Sequence, residues 1–183
     1  MIHVSLQMGS RVNYLTQNFR KKIKIGLKTS FTVKLLTKNQ MNIADMYERD
    51  LNKLIEEINL FKNEKDFWEI KGDIKNSAGN LALHLIGNLN DFIGRILGHT
   101  DFIRHRDDEF SLKDVPREKL VSDITSLKEI IKNTLPKLSE EDMKKEFPVK
   151  IREQVFSTEI FLIFLLAHFN YHLGQINYLR RML

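Results

Sequence analysis

The chain of 183 residues contains no cysteine. That absence removes disulfides, thiolate zinc sites, iron–sulfur clusters and a cysteine nucleophile together, and it suits an intracellular, cytoplasmic protein. Proline is scarce, with three residues, so little interrupts helix over most of the length. Long apolar runs are missing as well. The most apolar stretch, from Ile160 to Ala167, meets His168 well before the roughly 20 residues a membrane helix needs. No membrane span is expected, and that run reads as a helix buried in a protein core. Acidic residues are absent from positions 1–40, which hold eight of the 29 basic ones, so the net charge of +5 belongs to that segment. The remainder has 21 basic against 24 acidic residues, a mildly acidic body that is not expected to bind nucleic acid.

Residues 1–40 are therefore a basic N-terminal extension of different composition. Lys22-Ile23-Lys24-Ile25 and Phe31-Thr32-Val33-Lys34 alternate with the period of a strand but have no evident partner. The extension is expected to be poorly ordered, and three readings of it stay open: a targeting segment, a basic tail for anionic partners, or a start mis-assigned ahead of Met41. Positions 41–183 form the second unit.

From Met41 the pattern is helical. Ile43, Tyr47, Leu51, Leu54, Ile58 and Phe61 recur at steps of three and four, which predicts a helix over about 42–63. Lys71-Gly72-Asp73 and Ser77-Ala78-Gly79 mark a loop. A second helix is expected over 80–97, closed by Gly98. The charge-crowded stretch 99–115 reads as a loop. Asp114 as cap and Pro116 as early proline then open a third helix, with Leu120, Ile124, Leu127, Ile131 and Leu135 inward and Pro136 closing it. Ser139-Glu140-Glu141-Asp142 begins one short turn, and Phe147-Pro148-Val149 is expected to be extended. Ser157 or Thr158 caps the last helix, which runs to Arg180-Arg181. Four long amphipathic helices without a convincing strand make an all-α four-helix bundle.

Three of the six histidines share this pattern. His168 and His172 lie four residues apart, so both leave one face of the last helix. At about 100° per residue, Phe161, Leu165, Gln175 and Leu179 fall within about 60° of His168, which turns the pair toward the core. The same construction on helix two sets His84 and Asn88 among Leu81, Leu85 and Phe92. Imidazole is costly to bury without partners. A divalent metal would satisfy three such rings at about 2.0–2.1 Å each and keep a vacant position for water or substrate. The plainer reading is three core histidines bonded to backbone carbonyls. Asn88 and Gln175 are candidate groups beside the ligands or facing substrate. No inward carboxylate suggests itself as a general base; Glu153 and Glu159 lie near the mouth of the last helix. Leu83, Ile86, Ile93 and Leu97 give helix two a second apolar face, read as a homodimer interface or as the seat of a covering loop.

Asn80-Leu81-Ala82-Leu83-His84-Leu85-Ile86-Gly87-Asn88-Leu89 resembles the second helix of the DinB superfamily. His168-Phe169-Asn170-Tyr171-His172-Leu173-Gly174-Gln175-Ile176 resembles its fourth, H-x-x-x-H-x-G-Q. The likeness covers about residues 41–183. It implies an up-down-down-up bundle, often dimeric, with a metal-binding triad at His84, His168 and His172 for Ni, Zn or Fe. It also implies a metal-dependent transferase or hydrolase acting on a small electrophile or a low-molecular-weight thiol. The alternative is a non-catalytic structural or ligand-binding bundle.

Overall fold

The computed structural model describes residues 42–151 and 153–183; the basic N-terminal extension lies outside the described residues. Helix α1 spans Ile43–Leu60, and its start is fixed by a capping box in which Asn42 and Asp45 exchange side-chain and backbone hydrogen bonds. A short helix α2, Glu64–Phe67, follows where a plain connection was expected, and it buries Phe67 edge-on against Phe61 and Trp68. Helix α3, Ala78–Leu89, begins earlier than the periodicity suggests, because Ser77 is its cap rather than a loop residue and accepts from the Asn80 N–H at 3.1 Å.

From Asn90 to Leu97 the helix of α3 continues with π-type hydrogen bonding, as in the bond from Gly98 N to Ile93 O at 2.8 Å. Gly98 closes this helix as expected, but for an unexpected reason. Its φ of −93° needs no glycine, and the left-handed turn falls on His99 at φ 54°. Glycine is required at 98 because a Cβ there would stand 2.6 Å from the Thr134 hydroxyl of the next long helix.

The stretch 99–115 is not a simple loop. It contains α4, Arg106–Ser111, which packs on α3. Helix α5, Arg117–Thr134, has Pro116 at its cap position without a side-chain cap bond, and Asp114 instead takes a left-handed φ of 56°. After a 3-10 turn at Leu135–Lys137 comes α6, Glu140–Lys144, with the Ser139–Asp142 capping box. Helix α7, Thr158–Met182, starts at the Ser157 cap and carries Glu159 in its first turn and Arg180 and Arg181 in its last, matching the helix dipole.

Contacts between helices give the directions of the four long ones. Tyr47, Asp50 and Glu57 of α1 meet Leu162, Asn170 and Asn177 of α7 in the same order, so these two helices run parallel. Gly94 and Gly98 approach Ile130 and Thr134, so α3 and α5 are parallel to each other. Asn52 bonds Lys128 while Arg117 reaches Asn59 and Phe61, which sets α5 antiparallel to α1. The order is therefore up-down-down-up, with α1, α5, α3 and α7 around one core. Among the described residues there is no strand, only isolated bridges that fold 146–157 back on itself and bury Phe147 against Phe161, rings stacked 3.7 Å apart. No helix among them is long and apolar enough to cross a membrane.

A parallel pair of consecutive helices obliges the chain to travel back along the bundle before α5 begins. The connection 98–116 does this, and α4 lies on it beside the first turns of α3. Asn80 anchors it by donating to the carbonyls of Glu109 and Leu112 at 3.2 and 2.9 Å. Ile86 and Ile93, of the second apolar face on helix two, are buried within the chain itself. That face carries no argument for a dimer.

Candidate metal centre

The three inward histidines meet where α3 crosses α7. One ring nitrogen from each of His84, His168 and His172 lies within 4.8 Å of the others. The Nε2 atoms of His84 and His168 face each other at 3.0 Å. Two nitrogens bound tetrahedrally at 2.0–2.1 Å would stand about 3.3 Å apart, so the spacing suits one shared ion.

Tautomer choice strengthens this fit. The Nδ1 of His84 lies 2.8 Å from a carboxylate oxygen of Glu109, which can only accept, so the proton sits on Nδ1 and the lone pair on Nε2. His172 is set in the same way by Gln175, whose Oε1 accepts from Nδ1 at 2.6 Å. Both rings thus turn an unprotonated Nε2 toward the centre, the form a cation requires.

Electrostatics act in the same direction. Burial, then the neighbouring rings of His172 and His84 and the charge of Arg104, push His168 down to about 4. Burial also lowers His172, against the hydrogen bond to Gln175. Near neutral pH His168 and His172 are neutral and free to donate electron pairs.

Glu109 was not foreseen from the sequence, since it sits in a stretch that reads as loop. Its residue is 6% exposed, and burial alone would raise its pKa; hydrogen bonds from His84 and Arg104 outweigh that and hold the carboxyl below its ordinary range. Arg104 grips both oxygens, at 2.7 and 2.9 Å. Gly87 leaves room for the carboxylate, because a Cβ there would overlap it. With both oxygens engaged, Glu109 positions His84 and is not a free base. The sequence signal that could have found it is a run of acidic residues, Asp107-Asp108-Glu109, inside a connection long enough to return along α3.

Of the other residues singled out, Gln175 is half-buried on His172, and Asn88 lies one turn beyond His84, 7% exposed. The Oδ1 of Asn88 has no hydrogen-bond partner among the described residues. Glu153 and Glu159 are exposed and belong to no such cluster.

The helical bundle has a DinB-like fold. One solved relative in fold is a DinB-like protein from Bacillus cereus ATCC 10987, which matches with a TM-score of 0.56 at 14% identity, covering 73% of this chain and 85% of that one. The resemblance to the DinB superfamily thus holds at the level of fold. Residues 36–183 match the family described as a protein of unknown function (DUF1572), and the chain belongs to it. No curated protein matches the chain.

Proposed function

We propose that the protein binds one divalent ion, Zn, Ni or Fe, through His84, His168 and His172, and that the bound ion serves a transfer or hydrolysis reaction on a small molecule. The observation that carries this reading is the shared tautomer. Glu109 and Gln175 each take the Nδ1 proton of a different histidine and so leave both Nε2 atoms free toward one point. A hydrogen-bonded core cluster has no need of that agreement.

When bound by three neutral ligands, such an ion keeps its full charge and makes a coordinated water or thiol more acidic. The chain's own groups do the rest. Glu109, locked by Arg104, fixes the ring of His84; Gln175 fixes that of His172. Half-exposed His168 and His172 leave the centre open to small molecules, which favours a reacting site over a mere staple between helices. A low-molecular-weight thiol fits this reading as one reactant, since among the described residues no free carboxylate stands by to activate a less acidic group.

Elemental analysis of protein purified without an affinity tag tests the proposal. About one ion per chain is expected in the wild type, and a small fraction of that in His84→Ala and His168→Ala. Equal metal content in all three proteins, or none in the wild type even after incubation with zinc, nickel or ferrous iron, would sink it.

A further inference from the structure

Two cavities open on either side of the histidine pair. One, of about 880 Å³, reaches His172 and Gln175 and includes Lys75 and Tyr178. The other, of about 640 Å³, reaches His168 and Asn88. Both volumes suit small organic ligands, but the second has a more defined chemistry. Its walls are largely rings and branched chains, among them Phe92, Phe156, Phe161 and Phe164. No acidic side chain lines it among the described residues, while Lys150 does, exposed and without an ion pair among those residues.

Asn88 gives this cavity direction. Its side chain borders the space, yet its buried Oδ1 accepts no hydrogen bond among the described residues. A buried carbonyl left without a donor is costly, and natural sequences keep one chiefly where something else supplies the donor. Leucine or methionine would fill the position on α3 without that cost.

We propose that the cavity beside His168 is a binding site for an apolar organic anion bearing an N–H or O–H donor. The donor meets the Oδ1 of Asn88, the apolar body lies among the phenylalanines, and the anionic end pairs with Lys150. The proposal rests on the metal reading only for its chemical purpose, which is to hold such a molecule next to His168. Binding itself does not need the ion.

A fluorescence titration with 8-anilinonaphthalene-1-sulfonate, an aromatic anion with one N–H donor, tests this on the full chain, both chelator-treated and zinc-loaded. One-to-one saturation is expected. Asn88→Leu should weaken it about fivefold to tenfold, the scale of one hydrogen bond to a neutral group. Lys150→Glu, at an exposed position that folding does not depend on, should weaken it by about fivefold or more. Lys75→Glu, in the other cavity, should change nothing. Naphthalene-1-sulfonate lacks the N–H and should bind Asn88→Leu and wild type alike. Unchanged binding in both Asn88→Leu and Lys150→Glu, or an equal loss in Lys75→Glu, overturns the assignment. Metal content read on the same samples separates the two ideas. Variant-sensitive binding in a protein that takes up no metal leaves the cavity site standing and removes the metal reading; metal uptake with variant-insensitive binding does the reverse.

Discussion

Helix α7 buries polar groups along two seams, and the seams are built to opposite standards. Toward α1 every buried acid is paid in full. Asp50 receives Arg49 and Asn170, each at 2.6 Å, and Glu57 receives Asn177 at 2.8 Å and Arg180 at 2.7 Å. The Tyr47 hydroxyl donates to the Leu162 carbonyl at 2.8 Å. Toward α3 the same helix offers imidazoles lowered in pKa, facing an Asn88 oxygen of α3 that has no donor among the described residues, with two cavities beside them. Satisfied polar groups fix how helices align; an unsatisfied one beside open space leaves room for a water, an ion or a ligand as partner. The contrast sets the fully paired seam toward α1 apart from the seam toward α3, where the candidate site lies.

The largest expected effect comes from breaking the satisfied seam. Glu57→Ala strands the half-buried Arg180 guanidinium and Asn177 amide, and should cost about 3 kcal/mol of stability, read by urea denaturation near neutral pH. The gentler Glu57→Gln adds a pH signature. Burial would raise the Glu57 carboxyl, but Arg180 and Asn177 hold it below the ordinary carboxylate range in the folded protein. A lowered folded pKa contributes stability above the unfolded value and loses it as pH falls through the folded one. The gap between wild type and Glu57→Gln should therefore narrow in acid and be widest near neutrality. A gap independent of pH would show that the charge on Glu57 contributes nothing to the alignment of α1 and α7.

Much of both seams follows from helical periodicity, and what does not has a physical reason. The inward placement of His84, His168, His172 and Asn88 is visible because α3 and α7 are long and their apolar neighbours recur at regular steps. Asp50 and Glu57 escape notice because a carboxylate on an inward stripe looks like an error of phase until its partner on another helix is known. Glu109 is hidden for a different cause. It reaches His84 through the return of the chain between two parallel helices, and a pattern of local spacing carries no record of which connection doubles back. The π-type segment Asn90–Leu97 is likewise illegible, since apolar steps of three and four residues over so short a stretch do not distinguish i−5 from i−4 hydrogen bonding.

An intermediate effect is expected at Glu109, where the seam toward α3 depends on the returning chain. Glu109→Gln keeps size but weakens the hold on the His84 Nδ1 proton and loosens Arg104. Zinc affinity, measured by competition with a chromophoric chelator, should fall about 10-fold to 100-fold, the usual cost of losing such a carboxylate partner. Gln175→Leu should fall within the same range through His172. If both variants bind zinc as tightly as the wild type, the shared tautomer is a packing detail and the distinction between the seams loses one of its supports.

The smallest effect is the sharpest test of the comparison, because it sets one asparagine of each seam against the other. Asn177→Leu removes a donor from Glu57 and should cost about 1–3 kcal/mol, the penalty for leaving a buried acceptor short of a partner. Asn88→Leu removes an oxygen that already lacks one among the described residues, so its stability should stay within about 1 kcal/mol of the wild type or rise slightly. Residue type and substitution are the same; Asn177 is half-buried and Asn88 buried, so burial alone would make the loss at Asn88 the greater, and the hydrogen bonds predict the reverse. Equal losses at the two positions would mean that Asn88 is held by the fold as firmly as Asn177 and that its side chain serves structure. Unequal losses in the stated order would mean that α3 retains an asparagine at a cost in stability, which is the mark of a residue kept for what binds beside it.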